Sequence, residues 1–133
     1  MCCSRRAGEW MFGKGNYAQG NVYKINNAID INKFVFNEKI RENKRKTLNI
    51  DEETIVIGNI GRFVRQKNHE MLIDIFYDFY KSYKNCVLVL VGQGPLEQKI
   101  KNKVEKLGLQ ENVKFLGQRK DINEIYQIFD IFL

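Results

Sequence analysis

Two short runs, Ile55-Val56-Ile57-Gly58-Asn59-Ile60 and Cys86-Val87-Leu88-Val89-Leu90-Val91, constrain this chain more than any other feature. Neither alternates polar with apolar residues, so neither suits a strand with one face in water. Both need cover on two sides, as the strands of a parallel sheet do. Each is followed by a glycine-containing loop and then by apolar residues at helical spacing. After the first run these are Met71, Leu72, Ile75, Phe76 and Phe79, with Tyr83 beyond. After the second they are Leu96, Ile100, Val104 and Leu107, closed by Gly108 as a C-terminal cap. Asn68 is positioned to cap the first helix, and Pro95 to occupy the first position of the second. Val113–Leu116 reads as a third strand, Asp121 as the cap of a short helix through Phe129, and Asp130–Leu133 as the start of a fourth strand. Strand and helix in alternation mean βαβ units, hence an α/β fold with a parallel sheet and flanking helices over residues 51–133.

Residues 1–50 are organised differently and read as a separate helix, strand and linker segment. Ser4 to Phe12 predicts a short helix with Ser4 as N-cap and Ala7, Trp10 and Met11 on one side, ended by Gly13-Lys14-Gly15-Asn16. Val22–Ile25 reads as a short strand and Asn26–Asp30 as a turn. Residues 38–48 predict a charged surface helix or linker with only Ile40 and Leu48 as apolar anchors.

Composition narrows the function. The formal charge of +6 favours anionic partners, either nucleotide phosphates or an acidic membrane surface. Much of it falls in two helical clusters, Arg41/Lys44/Arg45/Lys46 and Lys99/Lys101/Lys103/Lys106, that read as solvated faces. No nucleic-acid-binding motif accompanies the charge, so nucleic acid is not an expected partner. Cys2, Cys3 and Cys86 have neither metal spacing nor a disulfide pattern, and a reducing, cytosolic setting is expected. The longest apolar stretch, Val87–Val91, is far too short to span a bilayer, and no signal peptide is visible.

Ligands of such sheets bind beyond the carboxyl ends of the strands, here Gly61–Lys67, Gly92–Pro95 and Gly117–Asp121. Gly61 lets a ligand approach the backbone, and Arg62, Arg65 and Lys67 put three cations in six residues, a set suited to a diphosphate. The same loop can equally be read as an exposed basic loop. Gly92-x-Gly94-Pro95 lacks the third glycine of a dinucleotide fingerprint and the ending of a P-loop, so by itself it reads as a tight turn. His69 is the sole histidine, which excludes a multi-histidine metal site; it could assist phosphate binding, but it reads first as a packing or surface residue of the first helical turn. Asp51, Glu52 and Glu53 read as a solvated acidic cluster.

Gly61-Arg62-Phe63-Val64-Arg65-Gln66-Lys67-Asn68-His69, followed in order by Val89–Leu96, Val113–Arg119 and the pattern Ile125-Tyr126 to Asp130-Ile131-Phe132, resembles family 4 of the glycosyltransferases, a retaining group with the GT-B fold. Upstream, Cys3–Gly13 and Ile25–Asp30 resemble the interdomain segment of members that build bacterial capsular and exopolysaccharides. The resemblance implies a Rossmann-like donor-binding domain, the C-terminal half of a GT-B fold. It implies that Arg62 and Lys67 are the catalytic cations gripping the donor diphosphate, with Gly61, Gly92 and Gly94 bordering the same cleft. Gln118, Arg119 and Asp121 fall where the family contacts the base, often through backbone groups. It further implies a UDP- or GDP-sugar donor, no metal or other cofactor, a saccharide or lipid-linked acceptor, and a cytoplasmic site of action at which the basic surface permits contact with the inner membrane face.

Two departures accompany the match. Asn27-Ala28 replaces the commoner Asn-Gly of the interdomain turn. The family's Glu-x₇-Glu region would fall beyond Leu133 and the acceptor domain before Met1, so the isolated fragment is expected to be inactive. Two alternatives stay open on sequence, a GT-B-fold sugar-nucleotide epimerase fragment and a non-catalytic nucleotide-binding module.

Overall fold

The computed structural model describes residues 1–133, which divide into two compact units, Met1–Lys33 and Phe34–Leu133. In the first unit, helix α1 (Arg5–Phe12) is capped by Ser4, whose hydroxyl accepts from the Ala7 N–H at 3.2 Å. Its buried residue is Gly8, against the Tyr17 ring and the Cys2 sulfur, while Trp10 is exposed rather than packed. Gly13 does end α1, but the chain turns at once into a second short helix, α2 (Lys14–Ala18), where a loop is expected. The strand expected at Val22–Ile25 is reduced to one parallel bridge between Cys2 and Lys24.

The second unit opens with α3 (Glu38–Thr47), whose N-cap Asn37 accepts from the Ile40 N–H. It then runs β1 (Ile55–Ile60), α4 (His69–Ser82), β2 (Cys86–Val91), α5 (Glu97–Lys106), β3 (Val113–Phe115), α6 (Ile122–Tyr126) and β4 (Ile131–Phe132). The four strands form one parallel sheet in the order β3-β2-β1-β4. This is the expected α/β architecture. The two all-apolar runs lie at its centre, paired from Ile55–Cys86 to Ile60–Val91.

Alternate residues of β2 feed opposite cores. Cys86, Leu88 and Leu90 pack with Leu72, Ile73 and Phe76 of α4 and Ile100 and Val104 of α5. Val87, Val89 and Val91 pack on the other face with Ile50, Ile125 and Ile128. All six residues of β2 are buried, which explains why the run shows no polar alternation.

The helices differ from the sequence reading in register rather than in existence. The buried stripe of α4 is His69, Leu72, Ile73 and Phe76, whereas Met71 and Ile75 face water. Pro95 lies in a turn ahead of α5, which begins at Glu97, and α6 ends at Tyr126 rather than at Phe129. Asn68 and Asp121 occupy N-cap positions, yet neither side chain caps its helix. The Asn68 carbonyl accepts from the N–H groups of Met71 and Leu72, and the Asp121 carbonyl from those of Glu124 and Ile125.

The charged segment before the sheet is the largest departure. Arg41, Lys44 and Arg45 of α3 do not form a solvated face: Arg45 is 3% exposed. Its guanidinium reaches the Asp130 carboxylate at 2.6 Å and donates to the carbonyls of Glu52 and Ile128. Arg41 binds the other Asp130 oxygen, and the Val56 N–H donates to Asp130 at 2.7 Å. Burial alone would push the Asp130 carboxyl up, but the Val56 N–H, Arg41 and Arg45 together hold it below its ordinary range. The second basic cluster is also partnered, Lys99 with Glu70, Lys101 with Glu97 and Lys103 with Asp74. No helix is long and apolar enough to cross a membrane.

Candidate functional site

The loops after β1, β2 and β3 are joined through their peptide groups. The Gly61 N–H donates to Val91 O at 2.9 Å, the Phe63 N–H to Gln93 O at 3.2 Å, the Leu96 N–H to Phe63 O at 3.1 Å and the Gly92 N–H to Gly117 O at 2.8 Å. The result is a continuous main-chain ledge across the carboxyl edge of the sheet. Gly92 is required here on two counts. Its φ is 138°, and a Cβ would run into the Gly61 carbonyl oxygen. A Cβ on Gly94 would sit 2.5 Å from Phe63 O. The two glycines therefore let one loop lie against the next, a task separate from the contact with a ligand that the resemblance implies.

The first loop folds back on itself. The Val64 N–H donates to Arg62 O, a 3₁₀ turn spans Arg65–Lys67, and Asn68 takes a left-handed conformation at φ 45° and ψ 45°. That reversal brings Lys67 back over the strand end, where its Cγ, Cδ and Cε lie 3.5–3.6 Å from the position a Cβ on Gly61 would take. Arg62, Arg65 and Lys67 are exposed and belong to none of the ion pairs that engage the lysines of α5. Positive charge thus accumulates without a counter-ion at one strand end, beside the N-terminus of α4, whose dipole adds to it.

Beneath this loop lies His69, 4% exposed and stacked on Phe63 with ring centroids 4.3 Å apart. Burial, and secondarily the charge of Lys67, lowers its pKa and so favours the uncharged imidazole. Of the sequence readings for this residue, packing is the one found.

At the third strand end, Arg119 grips Asp121 through two hydrogen bonds, Nε to Oδ1 at 2.9 Å and Nη2 to Oδ2 at 2.7 Å. Lys44 of α3 donates to the same carboxylate at 2.5 Å and pairs with Glu124 at 2.7 Å. Arg119 and Lys44 hold the Asp121 carboxyl far below the usual carboxylate range. The Arg119 fork and the Asp121 oxygens are therefore committed to each other, while Gln118 stays exposed. No hydrogen bond or ion pair links Arg62 or Lys67 to Gln118, Arg119 or Asp121; the β2 loop connects them through Gly92 and Gly117.

Sequence reasoning missed Lys44, Arg41 and Arg45. Their i, i+3, i+4 spacing on one helix face, together with a lone acid entering the last strand, is the signal that could have exposed them. A cavity of about 490 Å³ lies beside α3 and not at the ledge. Glu38, Glu42, Asp51 and Glu52 line it alongside Arg41, Arg45 and Lys46. Four carboxylates make poor company for phosphate.

Residues 40–133 match the protein family described as Glycosyl transferases group 1. Among curated relatives, a putative glycosyltransferase, EpsF of Bacillus subtilis, is 30% identical over 131 residues, 98% of this chain and 34% of its own length. An uncharacterised glycosyltransferase of Methanocaldococcus jannaschii is 35% identical over 101 residues, 76% of this chain and 23% of its own. The chain thus spans about a third or less of the length of these relatives. The Anabaena protein Alr3699/HepE, solved in complex with UDP and glucose, superposes with a TM-score of 0.75 over 98% of this chain and 36% of its own; at 22% identity it shows the fold alone. WaaG, a glycosyltransferase involved in lipopolysaccharide biosynthesis, gives 0.68 at 25% identity over 78% of this chain and 28% of its own.

Proposed function

Because the chain belongs to the group 1 glycosyl transferases, we propose that it is the nucleotide-sugar-binding part of an enzyme that moves a glycosyl group, with retention, to a saccharide or lipid-linked acceptor. The observation that carries this reading is the ledge itself, with unpaired Arg62 and Lys67 at the end of β1. When the bond between the sugar and the departing nucleotide breaks, negative charge grows on the leaving phosphate. Two cations with no other partner stabilise that charge more than they stabilise the intact donor. Arg65 reinforces the same field from the 3₁₀ turn.

The base falls to the third loop. With Arg119 committed to Asp121, its contacts come through peptide groups of residues 118–119 and through Gln118, while Asp121 positions the loop by tying it to α3. The donor nucleotide is UDP on this reading, supported by the neighbour solved with UDP and with UDP-glucose. Relatives named for Vi polysaccharide biosynthesis and for alpha-monoglucosyldiacylglycerol synthesis support saccharide and lipid acceptors. We place the reaction on the cytoplasmic side, with the net charge of +6 favouring the inner leaflet.

Arg62→Ala and Lys67→Ala should each weaken UDP-glucose binding by about 1.5–3 kcal/mol, the scale of a lost charge-assisted contact. Both residues are exposed and unpaired, so unfolding midpoints should move by less than about 0.5 kcal/mol equivalent. Titration calorimetry on the parent and both variants checks this. Equal affinity in all three would remove the assigned roles, and tighter binding of GDP-mannose than of UDP-glucose would overturn the choice of base.

A further inference from the structure

His69 is a buried titratable group that touches the basic loop and has no part in the reading above. Its ring partner Phe63, 1% exposed, anchors the loop by both its N–H and its carbonyl. The His69 Nε2 is buried without a hydrogen-bond partner. The ring borders a cavity of about 150 Å³ shared with Val64, Arg65, Asn68, Glu70, Leu96 and Ile100. The charges around it are few. Its own loop supplies Arg65 and Lys67. On its own helix, Glu70 is taken by Lys99 and Asp74 by Lys103, both lysines of α5. The cavity-lining residues of α5, Leu96 and Ile100, are apolar. No free carboxylate is at hand to hold an imidazolium, and Lys67 is the charge that opposes one.

We infer that His69 is a positioning residue coupled to the anion site. Its ring seats Phe63 and the turn at 61–68, and a diphosphate held by Lys67 offsets the lysine charge, so that Nε2 takes up a proton from solvent more readily than in the free chain. Ligand binding and protonation then favour each other by the same factor, as linkage requires. Donor affinity should therefore rise as the pH falls through the range in which the ring titrates. The inference rests on Arg62 and Lys67 being the diphosphate pair.

The test exploits the fact that this chain has one histidine, so its ring resonances titrate without overlap in an NMR experiment on the labelled chain. The probe is UDP-glucose, whose diphosphate diester does not itself titrate near neutral pH. The expected result is a midpoint below that of an ordinary histidine in the free chain, moving upward at saturating ligand. Lys67→Gln should move the free midpoint upward and abolish most of the ligand-induced change. His69→Phe keeps a ring on Phe63 and should bind with an affinity that no longer depends on pH. A midpoint unmoved by ligand, while the amides of residues 61–68 do shift, overturns the coupling and leaves the diphosphate site standing. Amides that stay still at saturating UDP-glucose overturn the diphosphate reading and the coupling with it. An unchanged midpoint in Lys67→Gln, or undiminished pH dependence in His69→Phe, overturns the coupling alone.

Discussion

Asp130→Ala should cost this chain about 2–4 kcal/mol of folding stability, somewhat below the loss for a fully buried ion pair, because Arg45 is buried while Asp130 keeps 32% of its side chain exposed. The carboxylate accepts from Arg41, Arg45 and the Val56 N–H at once. Its loss leaves the buried Arg45 charge with only backbone carbonyls as direct partners, and it strips the entry to β1 of an acceptor. Against a usual domain stability of about 5–15 kcal/mol, such a loss is a large share of the whole. Asp78→Ala, which removes an exposed i,i+3 pair with Lys81, is the control and should change stability by less than about 0.5 kcal/mol. Urea unfolding followed by far-UV circular dichroism separates the two, and a loss under about 1 kcal/mol for Asp130→Ala would refute the argument. The pH dependence follows from the direction of the shifts. Asp121 and Asp130 both have folded-state values below their ordinary ones. Their contribution is therefore complete above the ordinary carboxylate range and is lost as pH falls through the folded values. Acid unfolding of the parent should be steeper than that of Asp130→Ala.

The second large effect is expected at Gly92. Alanine there must hold a φ of 138° and also push its Cβ against the Gly61 carbonyl oxygen, a backbone atom that cannot swing aside. Strain and overpacking of this kind each cost about 1–3 kcal/mol, so Gly92→Ala should lose about 2–6 kcal/mol. Gly108→Ala isolates the first component. Its φ is 68° with nothing within 4 Å of the added carbon, and it should lose only about 1–2 kcal/mol. If the two substitutions prove equal in thermal and chemical unfolding, the contact between the β1 and β2 loops is not what Gly92 serves. A Gly92→Ala chain that still folds should also bind UDP-glucose less well, because the ledge carrying Arg62 is displaced.

The sheet was legible because its central strands are buried on both faces, and such burial leaves an unbroken apolar run in the sequence. The strand-end loops were legible in outline, since glycines at 61, 92, 94 and 117 mark where the strands stop and the chain turns. The orientation of α4 was not. His69 counts as polar in any periodicity reading, so the stripe was drawn through Met71 and Ile75, whereas the imidazole is buried and the true stripe runs through Ile73. The role of α3 was hidden more deeply. Burying Arg45 is favourable only because Asp130, 85 residues later, is brought to it by the sheet, and the cation spacing on α3 does not by itself say which acid it meets. The side chains of Asn68 and Asp121 illustrate the same limit. Both stand at helix starts, but Asp121 is drawn away by Arg119 and Lys44, a competition that only the folded chain reveals.

The strand-end ledge is fastened by amide-to-carbonyl links at Gly61, Phe63, Gly92 and Leu96, so its shape owes nothing to the outward-pointing groups on its rim. The scaffold and the selectivity of such a rim are thereby separable. If the proposed function holds, the exposed Gln118 can be exchanged for the residue of a relative with a different donor while the platform beneath it keeps its form. A binding edge built in this way invites diversification by substitution alone, with no need to lengthen or shorten the chain.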